Sequence, residues 1–205
     1  MAGHGLILAS LLVLSCFAET SFGIVYFSSL QRTLIVTASP KQGQVLKAGE
    51  DKITVNWALN TTFPAGTDSA YKTIKVKLCY APASQVERGW RKTEDDLSKD
   101  KTCQFNIVAR PYSASNKSFE WTVERDVPLG TYFVRAYAYN SEDAQVAFGQ
   151  TTDPHKTTNL FSIEAISGRH LSLDVASICF SAFSVLSLFG FFWSEKRKAK
   201  SSQQK

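Results

Sequence analysis

Period-two alternation of apolar and polar residues dominates the chain between residues 24 and 170. Lys52–Leu59 places Ile53, Val55, Trp57 and Leu59 on one face, and Thr73–Tyr80 places Ile74, Val76, Leu78 and Tyr80 on one face with Lys75 and Lys77 opposite. Residues 131–139 form the longest such run, with Tyr132, Val134, Ala136 and Ala138 alternating against Phe133, Arg135, Tyr137 and Tyr139. Shorter runs fall at 33–38, 104–108, 118–123, 144–149 and 161–166. Strands of this length and spacing, separated by turn residues, predict an antiparallel β-sandwich of about seven strands.

The sandwich is expected to be of the immunoglobulin/fibronectin-like kind. Gly130-Thr131-Tyr132 opens the longest strand, which makes Tyr132 a candidate tyrosine corner and Trp57 a candidate core anchor. The least strand-like stretch is 81–101, APASQVERGWRKTEDDLSKDK, in which basic and acidic residues nearly cancel. A loop this long is uncommon unless it is functional or disordered. Two readings of its Trp90 stand side by side: an interface anchor, or a side chain folded back on the sandwich.

Two segments break the alternation. Residues 6–14 form an apolar run too short to span a bilayer and followed by small residues, as in an export signal; its flank carries His4 but neither Lys nor Arg. Cleavage after Ala18 or after Gly23 satisfies the small-residue rule, and the second is favoured because strand-like sequence begins at Ile24. Residues 175–193 carry no formal charge, and as a helix they would reach roughly 28 Å, close to the thickness of a hydrocarbon core. Asp174 bounds them on one side and Glu195, Lys196, Arg197 and Lys198 on the other. The basic flank predicts a cytosolic tail and a type I single-pass topology, whereas a glycolipid-anchor signal would end in its apolar stretch. The expected organisation is a signal peptide at 1–23, an extracellular domain at 24–170, a transmembrane helix with its flanks at 171–194 and a basic tail at 195–205.

That topology sorts the cysteines. Of the four, Cys16 leaves with the signal and Cys179 lies in the span, so Cys79 and Cys103 remain in the exported domain, where disulfides persist. Their pairing is expected, and it frames the 81–101 loop. The net charge of +5 draws on the C-terminal basic cluster. No basic stripe with a nucleic-acid motif accompanies it, so no nucleic-acid partner is expected. His155 and His170 lack the context of a hydrolase triad, no metal-ligand spacing appears, and no glycine-rich phosphate loop is present. Adjacent Asp95 and Asp96 read as a solvated charge run. A non-enzyme without cofactor, metal or small-molecule substrate is expected. Sequons at Asn60 and Asn116 are candidate glycosylation sites. Within the span, Ser177, Ser181, Ser184 and Ser187 share an arc of roughly 120°. Such a face lets another helix approach, or its serines simply bond their own helix. Pattern thus leads to a membrane-tethered binding module: either a cell-surface receptor or adhesion module for an extracellular ligand, or an accessory subunit of a neighbouring membrane protein.

The segments LIVTASPKQGQVLKAGEDKITVNWALN (34–60), KVKLCYAPASQVERGWRKTEDDLSKDKTCQF (75–105) and GTYFVRAYAYN (130–140) resemble the plant high-affinity nitrate transporter-activating proteins. The resemblance covers essentially the whole chain, and the signal, single span and basic tail match that family's layout. It implies a non-catalytic partner subunit of a many-helix nitrate/proton symporter at the plasma membrane, forming a hetero-oligomer that supports nitrate uptake and nitrate response. The family's most distinctive residues fall in the cysteine-framed loop. Arg88, Trp90, Arg91, Lys92, Asp96, Asp100 and Lys101 are therefore the candidate partner-binding residues, with Ser177, Ser181 and Ser184 as candidate packing residues in the membrane.

Overall fold

The computed structural model describes residues 23–168 and 171–202. Residues 1–22 of the expected export signal, with Cys16, lie outside them, as do His170 and the last three residues of the expected tail. The described residues fall into two units, divided between Glu164 and Ala165.

The first unit is a β-sandwich. Its strands are β1 (Leu34–Ala38), β2 (Val45–Lys47), β3 (Lys52–Leu59), β4 (Thr73–Tyr80), β5 (Phe105–Pro111), β6 (Lys117–Thr122), β7 (Gly130–Tyr139), β8 (Gln145–Gln150) and β9 (Phe161–Glu164). β1-β3-β6 form a three-stranded sheet. The other sheet runs β2-β9-β7-β4-β5, with β8 also on β7. β7 is long enough to share one edge between two strands: Gly130–Tyr132 pairs with β9, and Arg135 to Tyr139 pairs with β8. The expected strands are present within a residue or two at most ends, and β5 runs on to Pro111. The alternation does not show β2, a short edge strand that pairs parallel with β9. Three residues are too few to establish a period.

The two sheets bury the faces that alternation selects. Ile53, Val55 and Trp57 of β3 meet Ile74, Val76 and Leu78 of β4 and Val134, Ala136 and Ala138 of β7 in one core. Tyr132 is fully buried and donates its hydroxyl to the Pro128 carbonyl at 2.5 Å, the tyrosine-corner bond expected from the Gly130-Thr131-Tyr132 sequence. Burial pushes that phenol's pKa up. Gly149 packs so closely on β1 that an added Cβ would run into the Leu34 backbone carbonyl.

β7 departs from a one-sided strand. From Tyr132 onward every residue is buried, including Phe133, Arg135, Tyr137 and Tyr139 on its outer face. The chain covers that face with its own irregular segments. Phe27, in the 3-10 turn Phe27–Ser29, stacks on Phe148 of β8 with ring centroids 4.6 Å apart, and the Arg135 guanidinium lies 4.3 Å from the Phe27 ring centre. Cys79, Ala81 and Phe133 form a second small core with Cys103 and Leu160.

The second unit is helix α1 (Leu171–Ser202). Its stretch Leu171–Lys198 contains an 18-residue window of mean hydropathy 2.1 and is long and apolar enough to cross a membrane. The helix continues through Glu195–Lys198 rather than stopping at the charge boundary, because these residues are good helix formers and neither Gly nor Pro interrupts them.

Candidate partner-binding loop

The loop between β4 and β5 is fastened at its root by the Cys79–Cys103 disulfide, with an S–S distance of 2.02 Å. Closing a loop of this length constrains the unfolded chain by roughly 3–4 kcal/mol in the chain-entropy account. Inside that frame lie two 3-10 turns, Pro82–Ser84 and Gly89–Arg91. Glu87 between them adopts a left-handed backbone with φ 58°.

Of the expected partner-binding residues, Arg91 is the most buried, at 6% exposure. Its Nη1 donates to the carbonyls of Ser84 and Leu129, each at 3.3 Å, and its guanidinium carbon stands 4.3 Å from the centre of the Tyr80 ring. Ser84 in turn accepts from the Thr131 backbone N–H and donates to the Thr131 carbonyl. Arg91 thus ties the loop to the start of β7, where Gly130 pairs with Ile163 of β9. The chain leaves the sandwich at this same end.

Asp96 and Asp100 also look inward. Asp100 Oδ1 accepts from the backbone N–H groups of Glu94 and Thr102 and from the Thr102 hydroxyl. Asp96 Oδ1 takes the Ser98 N–H and hydroxyl, while its Oδ2 pairs with Lys99 at 2.9 Å. The Ser98 and Lys99 hydrogen bonds hold its carboxyl below the ordinary range. Asp95, expected to be merely solvated, instead grips Ser28 with both carboxylate oxygens. Around it, Phe27 N–H donates to the Asp95 carbonyl, Leu97 N–H donates to the Val25 carbonyl, and Tyr26 forms a β-bridge with Asp96. The N-terminal segment and the loop are therefore one laced unit. Sequence spacing could not show this, since the partners are remote along the chain.

Arg88, Trp90, Lys92 and Lys101 remain exposed. Trp90 is 64% exposed, so it does not fold back on the sandwich; its backbone carbonyl is fixed by the Gln104 carboxamide at 2.7 Å. Val86 and Leu129 are comparably exposed, Leu129 through a residue whose carbonyl is held by Arg91. Lys92 pairs with Glu94 at 2.7 Å, and that hydrogen bond raises its pKa. The exposed part of the loop thus carries Trp90 with Arg88, Lys101 and the Lys92–Glu94 pair. Trp and Arg are among the residue types enriched at interface hot spots.

The other candidate residues lie elsewhere. Asn60 Oδ1 accepts from the Thr62 N–H and hydroxyl at the end of β3, and Asn116 is exposed in the turn before β6. Ser177 and Ser181 line a shallow depression on α1 with Ala182 and Val185. Ser187 donates to the Phe183 carbonyl of its own helix at 2.8 Å.

The chain thus combines an immunoglobulin-like sandwich that carries a disulfide-framed loop with one helix long and apolar enough to cross a membrane. Residues 27–168 match the family model NAR2, described as high-affinity nitrate transporter accessory, Ig-like domain. The chain is 50% identical over 208 residues to high-affinity nitrate transporter 3.2 of Arabidopsis thaliana and 51% identical over 211 residues to high-affinity nitrate transporter 3.1 of the same plant, covering 100% of each chain. It is 50% identical over 174 residues to high-affinity nitrate transporter-activating protein 2.1 of Oryza sativa subsp. japonica, with 85% of this chain and 82% of that one aligned. The chain belongs to the high-affinity nitrate transporter accessory family.

Proposed function

We propose that the chain is a non-catalytic subunit that binds a multi-spanning high-affinity nitrate/proton symporter at the plasma membrane and activates or stabilises it, thereby supporting nitrate uptake. The ectodomain faces outward and α1 holds it beside the transporter. The observation that carries this reading is the exposed Trp90 on a loop pinned by a disulfide, by buried Arg91 and by Asp100. Arg88, Trp90, Lys92 and Lys101 make the contact, while Arg91, Asp96 and Asp100 position the loop. Arg88 and Lys101 donate to carboxylates of the partner, where charge sets register and specificity more than affinity. Ser177, Ser181 and Ser184 let a transporter helix approach α1.

The test is affinity purification of the tagged full chain from solubilised membranes that also contain the transporter. Co-purification of the transporter with the natural chain, and its loss with Trp90→Ala combined with Arg88→Glu, is the expected result. Undiminished complex yield and nitrate uptake with a variant that still reaches the surface overturns the assignment of this loop.

A further inference from the structure

On the outer face of the larger sheet, Lys75, Lys77, Arg135 and Lys156 outnumber Asp100 and Asp143, the acids whose fields reach the two half-buried lysines. Lys77 of β4 and Arg135 of β7 are direct cross-strand partners, a relation in which like charges repel. Arg135 is 1% exposed, and its guanidinium donates to neutral acceptors. Its Nε and Nη2 donate to Gln150 Oε1 at 3.1 and 2.9 Å, and its Nη1 to the Tyr137 hydroxyl at 2.9 Å. Gln150 extends the network: its Nε2 donates to the Asp153 carbonyl at 2.9 Å, which also accepts the Lys156 N–H at 3.1 Å. Lys156 is held there in a left-handed conformation, φ 57°.

Lys77 and Lys156 are both half-buried, yet neither ammonium reaches a hydrogen-bond acceptor or an ion-pair partner among the described residues. Burial pushes both pKa values down, and the fields of Lys75 on Lys77 and of Arg135 on Lys156 push the same way. The acid whose field reaches both lysines is Asp100, and its Oδ1 is already committed to the loop backbone. Asp143, which also acts on Lys77, is tied to Lys75 at 2.7 Å. A half-dry cluster of cations is costly unless an anion completes it.

We propose that Lys77 and Lys156, backed by the buried Arg135, form a binding site for one small oxyanion group, supplied either by a free inorganic anion or by a carboxylate of a neighbouring protein. The two ammonium groups are the donors, Arg135 supplies a fixed positive field, and Asp100 limits the site to a single charge. This site is separate from the Trp90 surface and goes beyond the proposed function.

The test uses the full chain in detergent micelles with its lysines reductively methylated with a carbon-13 label, and Lys77 and Lys156 assigned by Lys→Arg variants. Chloride is replaced stepwise by nitrate, phosphate or acetate at fixed ionic strength. Joint, saturating movement of the Lys77 and Lys156 signals is the expected result, with at least a tenfold loss of apparent affinity in either Lys77→Gln or Lys156→Gln. Saturation by nitrate or phosphate assigns a free anion as occupant, and saturation by acetate alone assigns a protein carboxylate. A response no different from that of exposed Lys41 and Lys117 with all three anions overturns the proposal.

Discussion

Asp95 holds Ser28 through both carboxylate oxygens: the Ser28 N–H donates to Oδ1 and its hydroxyl to Oδ2, each at 2.8 Å. This clamp joins the first described turn of the chain to the disulfide-framed loop and seats Phe27 over Arg135 and Phe148. Asp95→Ala is expected to release that segment. Because the pair is exposed, the loss of global stability should be small, about 1 kcal/mol. The sensitive readout is hydrogen exchange at the Phe27 and Ser28 amides, which should accelerate well before the core strands respond. Unchanged protection at both amides would show that the aromatic stack alone holds the segment.

Gly149 is irreplaceable for a different reason. Its backbone φ is not the issue; space is, since the Leu34 carbonyl occupies the place of a side chain. Gly149→Ala should separate β1 from β8 and destabilise the sandwich by about 1–3 kcal/mol, as overpacking does. Thermal unfolding of the full chain in micelles checks this. A melting temperature equal to that of the natural chain would mean that β1 can shift without cost.

The core of this fold was legible because one face of each long strand is apolar. Ile53, Val55 and Trp57, or Ile74, Val76 and Leu78, announce their own burial. The outer face of β7 was not, because Phe133, Arg135 and Tyr137 owe their burial to segments that carry no period: the turn at Phe27 and the loop around Asp100. The loop itself could be picked out by its length, its cysteines and Trp90. The division of labour inside it could not. Arg91 and Arg88 look equivalent in sequence, and only the position of the Tyr80 ring and the Leu129 carbonyl separates them.

Asp153 organises the loop that carries Lys156. Its Oδ1 accepts from the Thr157 N–H at 2.6 Å and the Thr158 N–H at 3.1 Å, and its Oδ2 from the Thr157 hydroxyl at 3.0 Å. The backbone hydrogen bond from Thr157 is the main cause that holds this carboxyl well below the ordinary carboxylate range. A depressed folded pKa contributes stability that is present above the unfolded value and is lost as pH falls through the folded one. Protection of the Thr157 and Thr158 amides should therefore drop on acidification below the usual carboxylate range, after correction for intrinsic exchange. Asp153→Asn removes the titration and should remove that step. A step that survives in the variant would assign it to another group.

Arg91 and Trp90 are neighbours with opposite expected signatures. Arg91 is buried, stacks on Tyr80 and donates to two carbonyls, so Arg91→Ala removes a stacked cation and leaves the Ser84 and Leu129 carbonyls without this donor. The expected cost is about 1–3 kcal/mol, together with faster proteolysis between the two cysteines. Arg91→Lys should recover little, since an ammonium cannot both stack as a plane and fork to two carbonyls. Trp90 is exposed and packs on little, so Trp90→Ala should leave the unfolding midpoint within about 0.5 kcal/mol of the natural chain. Its effect should appear only when the transporter is present, as reduced complex yield. Measuring unfolding and co-purification on both variants separates positioning from contact. A stability loss in Trp90→Ala equal to that in Arg91→Ala would return Trp90 to the loop's own packing, and an Arg91→Ala chain with natural stability but no complex would return Arg91 to the contact surface.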